Sequence, residues 1–282
     1  MTPEIETAAT AEPALRPPGR GGCRATQPQP QPQQAWQRPG RRAVLSAAVG
    51  LLARRQQGVD PELLGLPQLV GPGSVCVDVG AAAGLYTATL SDLAGPTGQV
   101  HSVEPLQFVH PVVTRLLAVG HRPNVLQHHV ALGAESGVGT MSVPIGPYGL
   151  VTGRSFLARQ AGGLGSNSEF AGQIEVVVPV ETLDALCDRA GLSRLDFLKI
   201  DVEGAELSVL QGGTRAVESF RPIILLEIEA RHIARYPHSA HDTADWLIRR
   251  GYTMHTWQRD WRRTATVCDH IHNYLFRPGP GP

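Results

Sequence analysis

Lysine is nearly missing from this sequence: Lys199 is the only one in 282 residues, and every other basic side chain is arginine. Cysteine is scarce too. Cys23, Cys76, Cys187 and Cys268 are widely spaced with no Cys-x-x-Cys pair, which suggests neither a zinc site nor a disulfide framework and makes a reducing cytoplasm the expected compartment. No apolar run reaches the roughly 20 residues that span a bilayer. The candidate at 43–53, between Arg41-Arg42 and Arg54-Arg55, starts too late for a secretory leader, and Glu4, Glu6 and Glu12 speak against a mitochondrial one. It reads as an amphipathic helix whose Val44, Leu45, Val49, Leu51 and Leu52 pack on the domain C-terminal to it. Basic and acidic residues balance at 25 each and no basic run follows Arg55, so nucleic acid is not expected as a partner. Aliphatic residues are almost absent from 11–42, where Gln27 to Gln34 is low-complexity Gln/Pro sequence that cannot offset its ordering entropy. The expected organisation is a disordered tail at 1–42, a helical segment at 43–70, a single domain at 71–277 and a loose tail at 278–282.

The domain is organised around Ser74 to Gly84. Ser74 to Val79 is a β-branched apolar run, bounded upstream by Gly71-Pro72-Gly73, as a parallel strand covered on both faces reads. Asp78 interrupts it, and a carboxylate at the end of a central strand costs free energy unless it meets a partner, which points it at a ligand. Gly80 and Gly84 permit a tight turn, and Leu85 to Leu93 follows as a helix whose first N–H groups face that ligand. A dinucleotide fingerprint needs a middle glycine, but Gly80 and Gly84 stand four apart with Ala82 between them. The Asp-x-Gly-x-x-x-Gly spacing resembles an S-adenosylmethionine loop; an ordinary strand-to-helix turn is the plainer alternative.

A second strand, Gln99 to Val103, ends at Glu104-Pro105, 26 residues beyond Asp78 and near the offset at which nucleotide-binding α/β folds place a ribose-binding carboxylate. Val112 to Val119 reads as a helix and Val125 to Val130 as a third strand leading into Ala131, which this winding places near an adenine. His128 and His129 point to opposite faces and cannot act as a pair. From Gly137 to Val180 the pattern alternates around the Gly/Ser-rich stretch 161–168, as a β-hairpin insertion with a loop would.

The densest chemistry is Leu198-Lys199-Ile200-Asp201-Val202-Glu203-Gly204-Ala205-Glu206, where a strand from Phe197 to Ile200 meets a helix closed by Gly212-Gly213. In a chain that otherwise uses arginine, Lys199 suggests a need for a compact ammonium; a structural bridge to Glu203 or Glu206 is the other reading. Pro222 to Glu229 gives a fifth strand with an acid at its end and His232 just beyond. A helix at 243–249, a sixth strand at 251–256 and an antiparallel seventh at 271–276 complete a doubly wound, mostly parallel α/β sheet with right-handed crossovers.

Three blocks resemble the FkbM-type methyltransferases, S-adenosylmethionine-dependent enzymes on the class I Rossmann-like fold: Val77 to Thr87, Val103-Glu104-Pro105, and Leu198 to Glu206 with Leu226-Glu227-Ile228. The resemblance implies that Asp78, Gly80, Ala82 and Gly84 hold the methionine portion of the cofactor, Glu104 its ribose and Ala131 its adenine edge. It also implies O-methylation of a hydroxyl on a small molecule, sugar or natural product. Ala82 stands where the family usually has asparagine, which removes a polar contact to the cofactor. Asp201 is the first choice for orienting or deprotonating the acceptor, with Lys199 and Glu203 beside it and Glu227 and His232 as further candidates. A divalent metal held among Asp201, Glu203 and Glu227 is an alternative that no spacing here demands. A nicotinamide-dependent oxidoreductase and a non-catalytic methyltransferase-fold scaffold share the sheet; the missing middle glycine counts against the first, and Asp78, Glu104 and Asp201 against the second.

Overall fold

Val75–Val79 (β1) lies at the centre of an eight-stranded sheet in the computed structural model, which describes residues 60–107 and 121–279. The disordered tail expected at 1–42, the helices at 43–53 and 112–119 and the last residues of the chain lie outside the described residues. After β1 come Gln99–Val103 (β2), Val125–His128 (β3), Ala131–Leu132 (β4), Gly137–Gly146 (β5), Gly149–Leu150 (β6), Phe156–Leu157 (β7) and Gly172–Glu181 (β8). The remaining strands are Phe197–Ile200 (β9), Ile223–Glu227 (β10), Tyr252–Trp257 (β11), Trp261–Arg263 (β12) and Asn273–Pro278 (β13). The described helices are Leu85–Ala94 (α1), Leu183–Arg189 (α2), Glu206–Gly212 (α3), Thr214–Phe220 (α4), Ala230–Ile233 (α5) and Ala240–Ile248 (α6), with a 3-10 helix at Pro61–Gln68. None is long and apolar enough to cross a membrane among the described residues.

The sheet order is β12-β11-β13-β10-β9-β1-β2-β3. Strands β3, β2, β1, β9 and β10 run parallel, and β13 is antiparallel to β10. This is the doubly wound, mostly parallel arrangement that the sequence pattern implied. The chain winds outward from β1 to β3 and returns on the other side of β1 at β9, so the crevice where the winding reverses opens at the carboxyl ends of β1 and β9.

The two-residue period of a strand sorts the core into two layers. Val77, Val79, Leu198, Ile200, Ile224 and Leu226 form one face, packed on Leu186 of α2, Leu210 of α3, Val217 of α4 and Leu247 of α6. Cys76, Val100, Phe197, Leu225 and Leu275 form the other, covered by Tyr86 and Leu90 of α1 and by Leu63 and Leu66 of the 3-10 helix. Cys76 is fully buried, and that burial pushes its thiol up. The three-residue β12, absent from the sequence reading, pairs with β11 and brings Trp261 to 5.1 Å from Trp257 and its indole Nε1 to Gly65 O at 3.4 Å. The insertion forms a second sheet in which β5 and β8 pair antiparallel from Gly137↔Val180 to Ile145↔Gly172. Met141, Val143, Leu157, Val178 and Val180 turn inward with Leu106 and Ala131, and this packing sets the sheet beside the crevice.

Candidate functional site

Two turns meet at the crevice. Gly80 follows β1 at φ +76°, and a Cβ on it would lie 1.7 Å from the carbonyl oxygen of Asp201, so the turn after β1 rests directly on the turn after β9. The amides of Gly80 and Ala81 both donate to Val103 O, which ties the first turn to the end of β2. Ala82 and Glu203 take left-handed backbone, φ +45° and +57°, without being glycine; strain of this kind persists only where surrounding contacts fix it.

Between the turns and the insertion lies a cleft of about 280 Å³. Gly80, Ala82, Glu104, Ala131, Asp201 and Glu203 line it, with Asp60 and Glu227; Thr152, Ser155 and Leu157 of the insertion close one side, and Val130, Leu132 and Met141 give it an apolar end. Glu104 is buttressed at the end of β2: Oε2 accepts from Ala82 N at 3.0 Å and Oε1 from Leu106 N at 2.9 Å. Burial outweighs these bonds and pushes its carboxyl up to about 7.

Asp78 is not on the cleft wall, contrary to the sequence expectation. It shares a strand face with Cys76, the face that α1 covers, and its Oδ2 accepts from Thr87 Oγ1 at 2.5 Å while Thr87 Oγ1 also lies 3.0 Å from Ser102 Oγ. Burial raises Asp78 to about 6, against the pull of Thr87 and Lys199. The carboxylate braces the turn from beneath. Gly84 also stands back, at φ +88° as the N-cap of α1, bordering a small neighbouring hollow with Ala82 and Glu104.

Lys199 lies beneath the cleft instead of in it. Its side chain is 1% exposed, and Nζ is 3.2 Å from Asp201 Oδ2, 3.2 Å from Asn273 Oδ1 and 5.0 Å from the centre of the Tyr86 ring. Its partner is thus Asp201, two residues along the same strand direction, and neither Glu203 nor Glu206. Burial alone would raise Asp201, but the Lys199 ammonium and hydrogen bonds from Glu227 and Lys199 prevail and hold it below its ordinary value. Burial, the Asp201 charge and the hydrogen bond shared with Asp201 push the Glu227 carboxyl well up.

Glu203 continues the acidic wall. Its Oε2 lies 2.9 Å from Nδ1 of His232, which is also 2.9 Å from Glu229 Oε2, and burial raises the Glu203 carboxyl. Two arginines that the sequence reading missed dock the insertion here: Arg154 Nε stands 3.7 Å from Glu203 Oε2, and Arg235 donates to Glu203 O and Ser166 Oγ with its guanidinium 4.0 Å above the Phe156 ring. Neither belongs to a motif, and only long-range folding brings them in.

Glu206, 1% exposed, pins the second turn: Oε1 accepts from Gly204 N at 2.9 Å and Val202 N at 3.2 Å. Burial, opposed by these backbone bonds, pushes its carboxyl from 4.5 up to about 7. The folded chain therefore holds this proton more tightly than the unfolded chain, so the stabilisation is complete below about pH 4.5 and is lost as pH rises through 7, with a slope of up to about 1.4 kcal/mol per pH unit. Glu206→Gln, which keeps the accepting oxygen, is expected to lose less stability than the wild type between pH 5 and pH 8 in urea titrations. Equal losses would count against the assignment.

The family described as methyltransferase FkbM domain matches residues 78–254. Over 237 residues the chain is 26% identical to the AMB antimetabolite synthetase AmbE of Pseudomonas aeruginosa, covering 74% of this chain and 11% of that one. Over 157 residues it is 29% identical to the methyltransferase sdnD of Sordaria araneosa, covering 48% of this chain and 59% of the relative. The chain thus spans only part of the length of either curated relative. Among solved structures, methyltransferase FkbM from Methylobacillus flagellatus superposes with a TM-score of 0.44 at 17% identity, covering 72% of this chain and 43% of that one.

Proposed function

Because the chain belongs to the FkbM methyltransferase family, we propose that it uses S-adenosylmethionine to methylate a hydroxyl group of a small molecule. The observation that carries this reading is the composition of the cleft: Glu104, Asp201, Glu203 and Glu227 line it, and no basic side chain does so among the described residues. That donor set suits a ligand bearing a sulfonium and an ammonium, and Glu104 at the end of β2 suits a ribose diol. Val130, Leu132 and Met141 offer an apolar seat for a base beside Ala131. The same acidity selects against anionic acceptors and favours neutral, polyhydroxylated or cationic ones.

Bound there, the cofactor supplies an electrophilic methyl on a sulfonium, and transfer breaks one C–S bond as one C–O bond forms. The residues of the chain contribute mainly alignment, which can be worth about 7–11 kcal/mol. Asp201, held anionic by Lys199 and by its hydrogen bond with Glu227, accepts the hydrogen bond of the acceptor hydroxyl and fixes its oxygen in line. A carboxylate held this low orients well and is a weak base, so it takes the hydroxyl proton only as the C–O bond forms and the oxygen becomes strongly acidic. Thr152, Ser155 and Leu157 cover the cleft and exclude water from one side. Asp78, Gly84 and Lys199 act from beneath, on the positions of the turn and of Asp201.

The test is calorimetric titration with S-adenosylmethionine and, separately, NAD. Saturable binding of the first alone is expected, and Glu104→Ala should weaken it about ten- to a hundredfold, the loss of a charge-assisted hydrogen-bonding group. Binding of NAD alone would replace this reading with an oxidoreductase. Ala82→Asn is expected to tighten S-adenosylmethionine about fivefold, since asparagine tolerates the left-handed backbone already present and adds one net hydrogen bond worth about 1 kcal/mol. Unchanged or weaker binding would show that position 82 does not reach the cofactor.

A further inference from the structure

Asp201, Glu203 and Glu227 line one side of the cleft with Glu229 behind them, and the cations around these four carboxyl groups are unevenly shared. Lys199 is committed to Asp201 at 3.2 Å and Arg231 to Glu229 at 2.5 Å. Among the described residues, Glu203 has only Arg154 at 3.7 Å, and Glu227 has no basic side chain within ion-pair distance. Between them stands His232, whose side chain is 3% exposed. Its Nδ1 is 2.9 Å from Glu203 Oε2 but lacks the alignment a hydrogen bond needs, and neither ring nitrogen, nor Glu203 Oε2, has a hydrogen-bond partner among the described residues. Donor atoms of Glu203, Glu227 and His232 all lie within 4.8 Å of one another.

Unsatisfied buried polar atoms that converge on one point call for a missing partner. Two carboxylates and a neutral imidazole match a dication in charge, and the 2.9 Å between Nδ1 and Oε2 is close to the roughly 3 Å between neighbouring donors of an ion held at about 2.1 Å. We infer that Glu203, Glu227 and His232 form a binding site for one divalent transition metal ion. A nitrogen donor beside two carboxylates favours Mn²⁺, Fe²⁺, Co²⁺ or Zn²⁺ over Ca²⁺ and Mg²⁺, which take oxygen. Glu229 Oε2, also 2.9 Å from Nδ1, adds negative charge beside the ion. What the ion would do rests on the methyl-transfer reading: as a Lewis acid on the acceptor oxygen it would make the hydroxyl acidic enough for the weakly basic Asp201 to take its proton.

The site itself is tested without an acceptor. Chelator-stripped full-length protein is titrated with Mn²⁺ and followed by loss of the free-ion electron paramagnetic resonance signal, while S-adenosylmethionine binding is measured calorimetrically on the same preparations. One Mn²⁺ per chain is expected, displaced by Zn²⁺, with affinity at least tenfold lower in Glu203→Gln and in His232→Asn. Pulsed resonance on the wild type should show modulation from an imidazole nitrogen, a readout that does not depend on either variant folding. Absence of saturable Mn²⁺ binding, absence of nitrogen modulation, or equal affinity in folded variants would overturn the site. Loss of S-adenosylmethionine binding with the metal retained would overturn the cofactor reading instead.

Discussion

Gly80→Ala is expected to abolish S-adenosylmethionine binding, by more than a hundredfold, and to lower the melting temperature sharply. The added Cβ would sit 1.7 Å from Asp201 O, a backbone atom with no rotamer to escape into, and φ +76° is itself unfavourable for alanine by roughly 1–2 kcal/mol. Relief requires the turns after β1 and β9 to separate, which moves Ala82, Glu104 and Asp201 together because Gly80 N and Ala81 N are tied to Val103 O. Gly95→Ala is the control. Gly95 has φ +66° and ψ −170°, a region essentially confined to glycine, but open space around its missing Cβ, so alanine there should cost the strain of about 1–3 kcal/mol and leave binding intact. Thermal melts and calorimetry on both variants separate collision from strain; binding by Gly80→Ala within a few-fold of the wild type would refute the contact between the turns.

The second large effect is expected from Lys199→Met. Methionine fills much of the same volume but leaves the Asp201 carboxylate beside Glu227 without its ammonium, and removing one member of a buried pair costs about 3–5 kcal/mol. Urea titration should show a loss of that size. With Lys199 gone, the influence that holds Asp201 below its ordinary value disappears, so the loss should shrink below neutral pH, where Asp201 takes up a proton. Lys199→Arg restores the charge but forces a larger fork into a space that is 1% exposed, and is expected to remain destabilised by about 1–3 kcal/mol. A wild-type urea midpoint for Lys199→Met would mean that the ammonium is dispensable.

The elements that position the site could be read from the sequence because each combines a short apolar strand with an acid or glycine at its end. Phe197–Ile200 falls on the expected residues, and β1, β2 and β10 fall within two residues of them. Side-chain direction was harder. Cost of burial alone pointed Asp78 at a ligand, but Cys76 and Asp78 share a face by the strand period, and Thr87, one turn into α1, satisfies the carboxylate. The same period singles out Asp201 as the neighbour of Lys199, a signal present in the sequence that the pairing with Glu203 or Glu206 passed over. Arg154, Arg235 and His232 reach Glu203 from segments tens of residues away; His232 stood out only as a residue beyond a strand end, and nothing local announced the two arginines or the convergence. The left-handed backbone at Ala82 was likewise invisible, since alanine is an unusual residue for it.

The seclusion of Lys199 makes the chain a reporter of its own opening. An acylating reagent that modifies lysine side chains has one target, at the centre of the sheet, and that target is shut away while β9 stays paired between β1 and β10. Acylation of Lys199 in dilute reagent then advances only as fast as the sheet centre becomes accessible, and the mass increment on the Lys199 peptide, separate from that on the α-amino group, counts those excursions. Ligands that hold the two turns together should slow this labelling in proportion to their occupancy, which makes a screen possible before any acceptor is known.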